Sequence, residues 1–282
     1  MKNLFSLLIA LLVISSTLVT HAQTSLQMPQ PSTAQTIIQE FGLGKVTLNY
    51  SRPNVKGRKI FGSLQPYGQV WRTGANNATV ITFTDEVSIE GNKVPAGEYA
   101  LFTIPDAREW TIILNKTTKQ WGAYEYKQAD DFLRFKVKAD KMTVPVETFT
   151  MQLANVKPTT ANLTLMWERT SLTLHLTTEI DNRIMSGIEE AMKSAEKKPY
   201  FAAAQYYYEN NKDLNKALEW MTEIEKTAPK ATYYKYWKAR IQLKKGDKAA
   251  AIATAQEGAR LAKAEKNDEY VRLNEGVIAQ AK

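Results

Sequence analysis

The sequence predicts an α+β chain of two domains, an antiparallel, jelly-roll-like β-sandwich followed by helical hairpin repeats. Three observations predict it. Apolar and polar residues alternate with period two in short segments from Lys45 to Thr178. Those segments are separated by turn chemistry rather than by helical patterns. Beyond Thr178, apolar residues such as Ile184, Ile188 and Met192 recur at four-residue spacing in a stretch rich in Ala, Lys and Glu. A chain of 282 residues is long enough for two cores, and 44% hydrophobic with 23% charged residues is a globular composition.

Residues 1–22 read as a cleavable signal peptide: Lys2 opens it, Leu4 to Ser16 is almost continuously apolar, and Thr20-His21-Ala22 supplies small residues before Gln23. The mature protein is therefore expected in the periplasm or secreted, without a membrane span. Residues 23–40, rich in Gln, Ser, Thr and Pro, read as a leader over the surface. Residues 41–178 carry the strand patterns: Lys45–Tyr50, Thr79–Thr84, Val87–Ile89, Tyr99–Ile104, Trp110–Leu114, Phe132–Val137, Phe149–Leu153, Leu163–Trp167 and Leu172–Leu176. Glu90-Gly91-Asn92, Pro95-Ala96-Gly97, Pro105-Asp106-Ala107 and Val156-Lys157-Pro158 are turn signals between them. The last two strands read as a hairpin, because an even-length loop at Glu168–Ser171 would return Leu172, Leu174 and Leu176 to the face of Leu163, Leu165 and Trp167.

Residues 179–282 form the helical part, with Pro199 and Pro229 as stops and residues 267–281 as a closing helix. The segment repeats at 34 residues, Asp213 falling on Asp247, Ala217 on Ala251, Leu218 on Ile252 and Glu223 on Glu257. With the small residue at Ala217 and the closing Pro229, it resembles the tetratricopeptide repeat. Its many Tyr and Trp residues fill the space between stacked helices or line a groove for a protein partner.

The composition removes several chemistries. No Cys is present, which excludes disulfides and thiolate sites. Of two His, His21 leaves with the signal, so a His-based metal cluster is excluded. No glycine-rich phosphate loop precedes a helix, and no cofactor is expected. Nucleic acid is not an expected partner despite the net charge of +8, because export separates the chain from it. Glu125, Asp131 and His175 are the candidate acids and bases if the protein is instead a hydrolase of envelope glycan or peptide.

Binding groups concentrate between the first two recognised strands. Residues 41–84 hold Lys45, Arg52, Lys56, Arg58, Lys59 and Arg72 and no Asp or Glu, which would keep a cleft there positive. Trp71 offers a flat apolar face, Arg72 a planar five-donor fork, and Asn76 both a donor and an acceptor. Arg52, Lys56, Arg58, Tyr67, Trp71, Arg72, Thr73 and Asn76 are accordingly the candidate ligand-binding set, suited to a small anionic or carbohydrate-like ligand. In the bland alternative, Trp71 and Phe61 plug one end of the sandwich while Arg72 and Asn76 satisfy loop carbonyls.

Tyr50-Ser51-Arg52-Pro53, Lys56-Gly57-Arg58, Ile60-Phe61-Gly62, Pro66-Tyr67-Gly68 and Trp71 to Asn76, with Ala96 to Phe102, Trp121 to Tyr124 and Asp131 to Arg134, resemble a family of exported bacterial proteins known only as a domain of unknown function. The resemblance implies an envelope location and a β-rich domain, and brings no catalytic residues. Three readings follow: a non-catalytic binding protein, a hydrolase, or an assembly scaffold that acts through its helices.

Overall fold

The computed structural model describes residues 28–194 and 196–282. The expected signal peptide, its cleavage site and residues 23–27 lie outside them. The chain divides between Glu179 and Ile180 into two units. No described helix is long and apolar enough to cross a membrane.

The first unit holds two antiparallel sheets. One has the order β1 (Thr33–Phe41), β2 (Gly44–Arg52), β3 (Thr79–Phe83), β6 (Gly97–Ile104), β7 (Glu109–Asn115), β8 (Asp131–Lys138). The other has the order β5 (Asn92–Val94), β4 (Val87–Ile89), β10 (Thr160–Thr177), β9 (Asp140–Ala154). Alternation places Leu48, Ile81, Leu101 and Ile112 of the first sheet and Phe149, Met151, Leu163 and Leu165 of the second in one core.

Two expectations change here. The expected leader is a strand from Thr33 onward: β1 pairs with β2 along its whole length, Thr33 opposite Arg52 and Phe41 opposite Gly44. As an edge strand it leaves most side chains half or wholly exposed, so its sequence lacks the apolar alternation of a half-buried strand. The expected final hairpin is a single 18-residue strand, β10. Its register shifts on both sides of Glu168, a non-glycine residue at φ +53°. This irregularity, with its extra residues on β9, inverts parity along β10 as an even-length loop does, and so restores Leu172, Leu174 and Leu176 to the core face without reversing the chain. β10 pairs with β9 from Asn162 to Ser171, across the irregularity, and at its end Leu176 and Thr177 pair with Ile89 and Ser88 of β4.

The second unit contains six helices among the described residues: α1 (Asp181–Ser194), α2 (Tyr200–Glu209), α3 (Leu214–Thr227), α4 (Thr232–Lys245), α5 (Lys248–Ala264) and α6 (Asp268–Ala281). Asp213 and Asp247, one period apart, are the N-caps of α3 and α5, each carboxylate accepting a backbone N–H of the first turn. From α2 onward each helix packs on the next, and α4 also packs on α6. Their contact surface is small-residued: Ala203, Ala204, Ala217, Ala239, Ala251, Ala255 and Ala262 are fully buried.

Candidate functional site

Residues 53–78 cross from β2 to β3 without regular structure, yet they are closely held. Trp71 pairs with Thr103 of β6 as a strand residue would, its N–H donating at 2.7 Å and its carbonyl accepting at 2.9 Å. Its indole N–H donates to the Gly74 carbonyl at 3.0 Å. The ring stacks on Trp167 at 5.6 Å and meets Phe149 edge-on at 5.2 Å. Thr73, a β-branched residue at φ +52°, is buried with its hydroxyl 3.2 Å from that of Thr103. Such a conformation costs of order 1–3 kcal/mol and persists only where its surroundings enforce it. Gly74 lies so close to β2 that a Cβ would stand 2.9 Å from the Ser51 carbonyl oxygen.

The eight candidate binding residues therefore separate. Trp71 is 4% exposed and Thr73 fully buried, so neither presents a face to a ligand. The sequence placed Trp71 on a loop; its pairing with β6 carries the ring between the sheets, where it forms part of the core. Arg52 donates to the Phe149 carbonyl at 3.0 Å and to Thr150 Oγ1 at 2.8 Å, joining β2 to β9. Arg58 donates to the carbonyls of Val55 and Asn54 at 2.9 and 2.6 Å. Asn76 donates to the Ser32 carbonyl and to Ser51 Oγ. Tyr67 is exposed and lies over Gly62, whose hydrogen leaves room for the ring.

Arg72 differs from its neighbours. Its carbonyl accepts the Thr79 N–H at 3.2 Å, but its side chain makes no hydrogen bond or ion pair with any described residue, and its Nε is buried without a partner. Together with Lys56 and Arg58 it lines a cleft of about 270 Å³, bounded also by Pro53, Gly74 and Trp167. Acidic groups reach the crossover from the other sheet, where Glu147 accepts the Lys56 backbone N–H at 2.8 Å and Glu168 that of Ile60 at 3.2 Å. Among the described residues, no acid lines the cleft itself.

A family model described as a protein of unknown function (DUF2911) matches residues 32–176, which spans both sheets. The chain belongs to this family. No curated protein and no solved structure matches it. In this DUF2911 domain the candidate acids and bases are spent or exposed. Asp131 accepts from the Tyr126 hydroxyl at 2.8 Å and from Asn115 Nδ2 at 3.0 Å. Burial, reinforced by Asp131, pushes the Tyr126 phenol above its ordinary value. His175 Nδ1 lies 2.8 Å from Glu90 Oε1 on the solvent side of β10, and Glu125 is exposed. None of the three lines the Arg72 cleft.

One residue of note fell outside the candidate set. Trp121 is 60% exposed and lines a second cleft, of about 460 Å³. Its only signal in the sequence is an aromatic placed between two strands with no alternation to bury it.

Proposed function

We propose that this is an exported, non-catalytic binding protein whose β unit captures a small anionic or acidic-sugar ligand at Arg72 and whose helices dock a protein partner. The observation that carries the reading is the difference among the arginines. Arg52 and Arg58 each donate two hydrogen bonds to the protein's own acceptors, while the Arg72 side chain makes none and lines a cleft with Lys56 and Arg58. A guanidinium held without partners is preorganised for a planar carboxylate or phosphate. Titrating the full mature chain with glucuronate and with inorganic phosphate tests it. Arg72→Ala should weaken binding about tenfold or more, in keeping with a lost charge-assisted pair, and leave the urea midpoint unchanged. Absence of binding by the wild-type chain, or unfolding of the variant, would make Arg72 structural.

Export is supported by the residue pattern of positions 1–22. Amino-terminal sequencing of the secreted chain should begin at Gln23.

The helical unit supports the partner reading through a groove of about 410 Å³ formed by α2, α4 and α6. There Arg240 lies 4.4 Å from the Trp237 ring centroid and 4.7 Å from that of Tyr208, and Lys244 lies 4.6 Å over Tyr208. Arg272 adds a third cation, and no carboxylate among the described residues lines the groove. An acidic peptide segment fits this chemistry, and the 34-residue period with its paired caps supports a tetratricopeptide-like arrangement. Binding of a polyglutamate peptide should fall on Arg240→Glu; equal binding by wild type and variant would remove the groove from this role.

A further inference from the structure

We propose that the cleft at Trp121 is a second, separate binding site of the β unit, and that it takes a neutral saccharide. Its floor is a row of side chains in cross-strand register: Thr36 of β1 opposite Asn49 of β2, and Asn49 opposite Val80 of β3. All three lie on the face turned away from the main core. Its wall is the segment Thr118–Trp121, with Asn77 and Ala78 completing the rim.

That wall is fixed rather than floppy. Gly122 donates to the Asn76 carbonyl and Ala78 to the Gln120 carbonyl, each at 3.0 Å, so the segment pairs with residues 76–78 like a short strand. Gln120 is buried and donates to the Thr117 carbonyl at 2.5 Å. Farther along the loop, Ala123 and Tyr126 pack on the small outer cluster of Ala78, Ala100, Phe102 and Ile113. The fold thus spends its bonds on holding Trp121 in place while leaving the ring itself in solvent, which contributes nothing to the core.

The lining selects the ligand chemistry. The indole face matches the C–H face of a pyranose ring. The Asn77 side chain has no partner among the described residues, and Asn49 spends only its Oδ1, as acceptor of the Thr36 hydroxyl at 2.7 Å. Its amide N–H groups therefore remain for hydroxyl oxygens. Among the described residues, Lys119 is the one charged group in the lining and no carboxylate is present, which favours an uncharged polyol over an anion or a cation. The volume lies within the roughly 300–1,000 Å³ range of small-molecule sites. No residue is shared with the Arg72 cleft, and the inference does not rest on anion binding there.

Trp121 provides its own reporter. Of the six tryptophans, it alone has an exposed side chain; Trp71, Trp110, Trp167 and Trp220 are buried and Trp237 is half-buried. Maltotetraose, cellotetraose and chitotetraose should be titrated separately, at up to millimolar concentration, into the mature full-length chain. At least one should shift the emission to the blue and protect it from iodide. Binding measured by calorimetry should persist in Trp121→Phe and fall about tenfold or more in Trp121→Ala, with Asn77→Ala weakened to a lesser degree. Saturating inorganic phosphate should not compete with the saccharide, which separates this site from the anion reading. Protection by none of the three sugars, or binding undiminished in Trp121→Ala, overturns the proposal. A fall in molecular mass by light scattering in Trp121→Ala, without sugar protection, would also overturn it, because the patch with exposed Tyr124 would then be a protein interface.

Discussion

The two units bury opposite kinds of side chain. Among the largest fully buried groups of the β unit are Trp110, Trp167, Phe83, Phe102 and Phe149, whereas the helical unit closes mainly on alanines. Stacked sheets stand about 10 Å apart and need long side chains to fill the gap. Helices can approach to about 8 Å when the residues between them are small. One unit therefore fails when volume is removed and the other when volume is added.

The largest expected effect comes from Trp167→Ala, which removes the ring stacked on Trp71 and should cost the β unit about 3–5 kcal/mol. Urea unfolding followed by near-ultraviolet circular dichroism would measure it, and a loss below about 1 kcal/mol would contradict the shared-core picture. Ala255→Leu is the matching test in the helices, with an overpacking cost of about 1–3 kcal/mol. Ala255→Gly should be milder, because it loses about 1 kcal/mol of helix propensity and only a methyl group of volume.

The two units also use glycine differently. At Gly74 a new Cβ would meet the backbone of β2, which cannot move aside. At Gly258 on α5 it would meet the Asn274 side chain of α6, 2.5 Å from Oδ1. Gly258→Ala should accordingly be rescued in part by Asn274→Ala, whose Oδ1 is buried without a partner, while no side-chain truncation should rescue Gly74→Ala. A double-mutant cycle on thermal midpoints reads the coupling.

Asp213→Ala and Asp247→Ala should each cost about 1 kcal/mol through a lost N-cap. Equal losses would sharpen the repeat, and a single large one would break it.

The smallest effect concerns pH. Hydrogen bonds from Lys212 Nζ and the Tyr206 hydroxyl, both at 2.7 Å, hold the Asp181 carboxyl below its ordinary value of 3.8. A lowered folded-state pKa adds stability above the unfolded value and loses it as pH falls through the folded one. Acid below about pH 4 should thus loosen the start of α1, and Asp181→Asn should flatten that slope in a helical-signal titration.

The strands with apolar alternation could be read from the sequence because burial on one face leaves a period of two. β1 could not, because an edge strand need not carry that period. At Glu168 the pattern itself was ambiguous: a parity flip records that one face is recovered and not whether the chain turned back. The candidate site was harder. Arg52, Arg58 and Arg72 look alike in sequence, and only the placement of the Phe149, Asn54 and Val55 carbonyls distinguishes them. Trp71 and Trp121 sit in similar irregular stretches, yet one is paired to β6 and interred and the other is held by residues 76–78 and left outside. Those outcomes depend on partners distant along the chain.

The continuity of β10 through its kink has a consequence for the order of assembly. The β4–β5 hairpin is complete by Val94, but among the described residues its neighbour in the four-stranded sheet is the far end of β10, and Ile89 waits for Leu176. A ribosome or a translocation channel delivers that neighbour last among the strands of the β unit, and contacts so widely separated along a chain are slow to close. Until then the hairpin's apolar Val87, Ile89 and Val94 lack their lid, and a chain ended before Leu176 would keep an open seam that other chains can join.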